Sequence, residues 1–95
     1  MDDIDKQIAD YNASRDHAIV EFIRFGNTAA LERHTETYRS QYSALALAVY
    51  ADPEKRKIAI CKAATGITHL PADVRATAKK WLTEAGFKSW DDGEL

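Results

Sequence analysis

Three histidines and one cysteine are the side chains with the widest chemistry in this 95-residue chain. His17 and Glu21 stand four positions apart, so both leave the same face of a helix. A metal site needs three or four converging ligands, and the sequence has no HExxH motif or CxxC pair to supply them. We therefore predict no metal site, and surface or partly buried positions for His17, His34 and His69.

The single cysteine, Cys61, lies among apolar positions of a predicted helix. Lys62 beside it is weak support for a reactive thiolate, so a buried structural thiol is the prediction. A lone cysteine forms no intramolecular disulfide, which indicates a reducing compartment. The sequence has no glycine-rich phosphate loop, and its spacing supports no Ser–His–acid arrangement. We expect no catalytic residue, no cofactor and no small-molecule substrate, and hence a protein that is not an enzyme.

Basic side chains in the second half form a candidate surface for nucleic acid or an acidic partner. Its members are Lys55, Arg56, Lys57, Lys62, Arg75 and Lys79. Two predicted helices joined by a turn carry them, as in helix-turn-helix DNA-binding proteins. The connection from Gly66 to Pro71 is longer than the usual turn, and a pI of about 5.9 is far from strongly basic. Nucleic-acid binding is therefore the alternative hypothesis.

The net charge of −2 conceals a strong polarity along the chain. Residues 1–52 hold nine acidic and five basic residues, whereas residues 53–90 hold eight basic and three acidic ones. Residues 91–95 add three acids. Oppositely charged halves favour oriented binding between proteins, because complementary charge sets orientation and association rate.

A second candidate surface consists of polar residues on helix seams: Tyr11, Arg15, Tyr38 and Tyr42. A tyrosine is apolar in its ring and polar at its tip, so several on one seam indicate a core that is partly wet or a surface that meets a partner. Arg15 interrupts an apolar stripe. Its charge needs an acid on the second helix or a second subunit if the seam is dry, but we favour a packed stem with its head in water.

The elements that position these residues follow from apolar periodicity and helix stops. The first helix is predicted over about residues 3–25 and ends at Gly26, with Asn12 and Ser14 as a point where it bends or restarts. The second helix, predicted from Thr28 to Tyr50, organises the chain. Its seam carries Leu31, Tyr38, Tyr42, Leu45 and Val49. Residues 43–50 are almost entirely apolar, so we expect burial on several sides.

Two shorter helices complete the prediction, one from Pro53 to about Gly66 and one from about Pro71 to Gly86. Ile67 and Phe87 would pack back onto the helices that they follow, and Trp90 could fold onto the bundle. The predicted fold is an all-α, antiparallel four-helix bundle with two long N-terminal helices as a hairpin. It forms one domain over residues 1–90, with a flexible acidic tail over 91–95.

The sequence contains no secretory signal and no apolar run long enough for a bilayer, so we expect a cytoplasmic protein without membrane contact. The leading hypothesis is a small protein that acts by protein–protein binding, as a homodimer. A regulator, an assembly factor or an inhibitor from a bacterium, phage or mobile element fits this size and composition.

Overall fold

A computed structural model describes residues 2–86, and every regular element within them is helical. The five α-helices are α1 (Asp2–Phe25), α2 (Ala29–Thr37), α3 (Ala44–Ala51), α4 (Pro53–Gly66) and α5 (Ala72–Glu84), with a 3-10 turn over Arg39–Gln41. The all-α prediction is confirmed. Predictions for Phe87, Trp90 and the tail 91–95 lie outside the described residues. The chain divides into two compact units, Met1–Ser43 and Ala44–Leu95.

In the first unit, α1 runs unbroken through Asn12 and Ser14. It ends where the sequence predicts, because Gly26 adopts a φ of 66° that other residues rarely take. Since α1 has 24 residues and α2 only nine, α2 covers only part of α1. The buried residues of α1 accordingly lie in its second half: Ala18, Ile19, Phe22 and Ile23.

The prediction of a long second helix is wrong. The helix stops at Thr37, a 3-10 turn follows, and Tyr42 is extended with φ −108° and ψ 140°. Residues 35–43 contain threonine, tyrosine and serine, which have weaker helix propensities than alanine or leucine. The heptad pattern continued through this stretch, so the sequence did not reveal the break.

Burial of residues 43–50 is also contradicted. None of the residues of α3 is buried, and Leu45 is 77% exposed. The heptad seam that placed Leu45 inside a core required one continuous helix, and that requirement fails at Thr37.

In the second unit, α3 packs against α4, and α4 packs against α5. The start of α4 matches the prediction, because the Asp52 carboxylate accepts hydrogen bonds from the backbone amides of Glu54 and Lys55, and Pro53 occupies the first turn. The buried apolar residues of the second unit are Ile60, Cys61, Ala64, Leu70, Val74, Ala78 and Leu82. No helix within residues 2–86 combines the length and the apolar character that crossing a membrane requires.

Two leucines in the second unit give a matched test of this packing. Leu82 is 1% exposed, whereas Leu45 is 77% exposed. Replacing Leu82 by alanine should lower the free energy of unfolding by about 2–5 kcal/mol, because it leaves a cavity. Leu45→Ala should cost less than about 0.5 kcal/mol. Urea denaturation monitored by circular dichroism measures both, and equal losses would contradict the position of α3.

Candidate functional site

A buried histidine lies at the centre of the first unit. His34 on α2 is 2% exposed, and both of its ring nitrogens have hydrogen-bond partners. Its Nδ1 lies 2.7 Å from Ser14 Oγ on α1, and its Nε2 lies 2.6 Å from the Tyr42 hydroxyl. The Tyr11 hydroxyl in turn donates to the Tyr42 hydroxyl at 2.9 Å. We call these four residues the His34 chain.

Aromatic rings enclose the His34 chain. The Tyr11 and Tyr38 rings each lie 5.1 Å from the imidazole, centroid to centroid, and meet each other edge to face at the same distance. Such edge contacts are favourable beyond the area that they bury. The rings keep water from the imidazole, so the hydrogen bonds form in an environment of low polarity.

The break after α2 makes the His34 chain possible. In a continuous helix His34 and Tyr42 would be separated by about 12 Å along the axis, too far for a hydrogen bond between their side chains. The 3-10 turn and the extended Tyr42 bring that hydroxyl back to the ring. The hydrogen bonds recovered at His34 therefore compensate for the helical turns that residues 38–43 do not form.

The order of donors in the His34 chain bears on its chemistry. Because the Tyr11 hydroxyl donates to the Tyr42 hydroxyl, Tyr42 can donate its own proton to His34 Nε2. Nδ1 then carries the proton and donates to Ser14 Oγ, so His34 is not positioned as a base for Ser14. In this arrangement the His34 chain satisfies buried polar groups and links α1 to the segment that follows α2 by hydrogen bonds.

Burial lowers the pKa of His34, and the positive charge of Arg15 lowers it further. The Arg15 guanidinium itself binds the neighbouring Asp16 carboxylate through Nε at 3.1 Å and Nη2 at 3.0 Å. The partner is thus on α1 and not on the second helix. The Arg15 side chain remains 30% exposed.

Three of the four predicted interface residues therefore come together: Tyr11, Tyr38 and Tyr42. The predicted surface or partly buried position of His34 is wrong, because this residue is 2% exposed, although its place in the sequence held a signal. It lies three residues after Leu31 and four before Tyr38, beside the same stripe. Among residues 2–86, no three His, Cys, Asp or Glu side chains are grouped as a metal site requires.

The basic residues of the second unit differ in exposure and in the direction in which they leave their helices. Lys55 and Lys57 are exposed but stand two positions apart on α4, so they point in nearly opposite directions. Lys57 Nζ lies 4.5 Å from the Trp81 ring centre, within range of a cation–π contact. Lys79 is exposed, and Lys62 is partly buried.

The two arginines of that predicted patch stabilise helix ends. Arg56 Nη1 donates to the Tyr50 carbonyl at 3.3 Å, and Arg75 Nη2 donates to the Thr65 carbonyl at 3.2 Å. Both side chains are partly buried. Their guanidinium groups satisfy backbone carbonyls, which is a structural role.

An open cleft of about 320 Å³ lies between α4 and α5, and Lys57, Cys61 and Trp81 are among its lining residues. The Cys61 side chain is buried, as predicted. Burial raises its pKa to about 11, and the opposing effect of Lys57 is smaller. A thiol that stays protonated is a poor nucleophile, which supports a structural role.

Exposed apolar side chains form a face in each unit, and Phe25 at the end of α1 is also 69% exposed. On α3 the exposed residues form one continuous face: Ala44, Leu45, Ala48 and Ala51. On α1, Ile4 and Ile8 are 57% and 54% exposed. They line a shallow groove of about 150 Å³ together with Gln7, Tyr11 and Gln41.

No known protein family, curated protein or solved structure matches this chain.

Removal of one hydroxyl tests the His34 chain. Tyr42→Phe should destabilise the protein by about 1–3 kcal/mol, because it leaves Nε2 of the buried His34 without a partner and removes the acceptor of the Tyr11 hydroxyl. Tyr38→Phe is the matched control, because its hydroxyl makes no hydrogen bond within residues 2–86 and its ring packs in the same cluster. Chemical denaturation at neutral pH compares them. Equal losses would show that only the rings contribute.

Acidification tests the lowered pKa of His34. As pH falls below the ordinary value of 6.5, the unfolded chain binds a proton that folded His34 resists. The free energy of unfolding should therefore fall with pH from about 6.5 down to the folded pKa, by at most about 1.4 kcal/mol per pH unit. His34→Gln should remove this component when denaturation curves are compared across the range. An unchanged pH dependence would contradict the buried neutral imidazole.

Proposed function

We propose that this protein acts by protein–protein binding, and that α3 of a second copy is the partner of its own α3. The observation that supports the proposal is the uncovered apolar face of α3. All eight residues of this helix, ALALAVYA, lack charge, yet none is buried. Helices that are apolar on every side are normally buried in protein or membrane, so an uncovered one indicates a missing partner.

The composition of the α3 face suits a symmetric contact. Ala44, Ala48 and Ala51 are small, so two helix backbones can approach closely, and Leu45 supplies a larger apolar side chain beside them. Because α3 carries no charge, two copies of this face meet without repulsion. A two-fold dimer uses the same surface twice, which is the commonest form of homo-oligomer.

The expected association is weak. An eight-residue helix offers much less area than the roughly 1,200–2,000 Å² buried in stable specific interfaces. We therefore propose a reversible homodimer in the micromolar to millimolar range, suited to a regulator, assembly factor or inhibitor. The absence of enzymatic activity remains part of the proposal. The cytoplasmic location expected from the sequence is also part of the proposal.

Nucleic-acid binding through the second unit remains the alternative proposal. Lys55, Lys57 and Lys79 are exposed and available to phosphates. Arg56 and Arg75 contribute less to that surface, because their guanidinium groups bind backbone carbonyls. We therefore rank this function below protein binding.

Charge introduced on α3 tests the proposed dimer. Ala48→Glu should weaken self-association by at least about tenfold, because it places a carboxylate and its symmetry mate in an apolar contact. Ala76→Glu is the matched control, since Ala76 is an exposed alanine on α5 of the same unit. Sedimentation equilibrium up to millimolar protein gives the dissociation constants.

The outcome distinguishes the two proposals. A dimer that Ala48→Glu disrupts and Ala76→Glu preserves would support the α3 contact. A protein that stays monomeric at every concentration, or a dimer that both variants affect equally, would contradict it. Short duplex DNA added at low salt tests the alternative, which predicts a complex that dissociates as salt rises.

A further inference from the structure

We propose that the groove at the start of α1 binds a basic amphipathic helix from a different protein. This surface consists of residues of the first unit and shares none with the α3 face, so the inference rests on different observations from the proposed homodimer. Ile4, Ile8 and Tyr11 lie on the wall that α1 contributes, and Gln41 from the 3-10 turn forms the opposite wall. The apolar requirement comes from Ile4 and Ile8, which stand one turn apart and are both more than half exposed.

The groove continues the buried face of α1. At 3.6 residues per turn, Ile4, Ile8 and Tyr11 lie on the same face as Ala18 and Phe22, which are buried. Because α2 has only nine residues, it ends before it can cover the first turns of α1. The apolar stripe at the start of α1 is therefore left uncovered by α2. A partner helix with apolar residues at i and i+4 matches the spacing of this stripe.

The charge beside the groove selects the sign of the partner. By helix geometry, Asp3 and Asp10 lie on one side of the α1 stripe that carries Ile4 and Ile8, and Asp5 lies on the other side, each about a quarter to a third of a turn from the middle of the stripe. All three are exposed, and none forms an ion pair with a residue between 2 and 86. Lysine or arginine along both edges of the incoming helix would meet these carboxylates.

The acidic edges also argue against a second copy as the occupant. Two α1 helices packed through this groove would place carboxylates of one copy near those of the other, which disfavours the contact. Asp3 and Asp5 also favour the positive end of the α1 dipole. Asp10 lies beyond the first turn, so its charge is not explained by that effect. Its exposure beside the groove agrees with a role in recognition.

Two synthetic helices of opposite charge are the probes. Both carry leucines at i, i+3, i+4 and i+7, one with lysine and the other with glutamate at the remaining positions. Titration of each into the isotope-labelled full chain, followed by NMR, gives affinity and location together. The lysine helix should bind and shift the amides of residues 4–11 and Gln41, and the glutamate helix should bind at least about tenfold more weakly.

Variants with matched charge separate this site from general attraction to an acidic surface. Asp3→Asn, Asp5→Asn and Asp10→Asn together should weaken the lysine helix about tenfold at low salt. The control triple Glu32→Gln, Glu54→Gln and Glu84→Gln removes the same charge at exposed positions outside the groove and should leave the affinity nearly unchanged. Ile8→Ser should weaken binding by at least about tenfold through lost apolar burial.

Circular dichroism confirms that each variant folds before it is compared. Equal binding of the two helices, equal losses in the two triple variants, or amide shifts confined to other parts of the chain would overturn the proposal. So would the absence of any binding by the lysine helix. Self-association of α1 that Ile8→Ser abolishes would assign the groove to a second copy instead, and that result would also overturn it.

Discussion

The burial of an imidazole whose two nitrogens both need partners is the constraint on which the first unit depends. Ser14 satisfies one nitrogen from α1, and Tyr42 satisfies the other from beyond the end of α2. Tyr42 can do so only because the chain leaves the helix after Thr37. A buried polar atom without a partner costs about 1–3 kcal/mol, more than a few residues of helix propensity contribute. The short α2 and the open start of α1 both follow from this.

The two uncovered surfaces differ in charge and therefore in the partners that they suit. The α3 face is apolar and uncharged, so a second copy can occupy it without repulsion. The groove on α1 has exposed carboxylates on both sides, so it favours a basic partner. The sequence shows an excess of acidic residues in the first half of the chain. Within that half, Asp3, Asp5 and Asp10 are the carboxylates that would select a basic partner at the groove.

Helix ends with local chemistry could be predicted from the sequence. Gly26 ends α1 through its positive φ, and Asp52 with Pro53 starts α4, because each signal acts within a few residues. The end of α2 has no such signal. It depends on a hydrogen bond between His34 and Ser14, 20 residues apart, and on another between His34 and Tyr42, eight residues apart. Apolar periodicity does not report such contacts, so the predicted helix continued past Thr37. The same error placed Leu45 in a core, and it hid His34 because the seam was assigned to its neighbours.

The most direct test of the buried His34 chain is the imidazole N–H proton spectrum of the folded protein at neutral pH. A neutral imidazole has one N–H in either tautomer, and at His34 both ring nitrogens are hydrogen-bonded inside the cluster, so this proton exchanges slowly with water, whereas His17 and His69 are exposed. We predict one observable imidazole N–H resonance that is lost in His34→Gln and shifted in Tyr42→Phe. If no imidazole N–H resonance is seen, or if it survives His34→Gln, the imidazole is not held in the buried cluster, which contradicts the His34 chain.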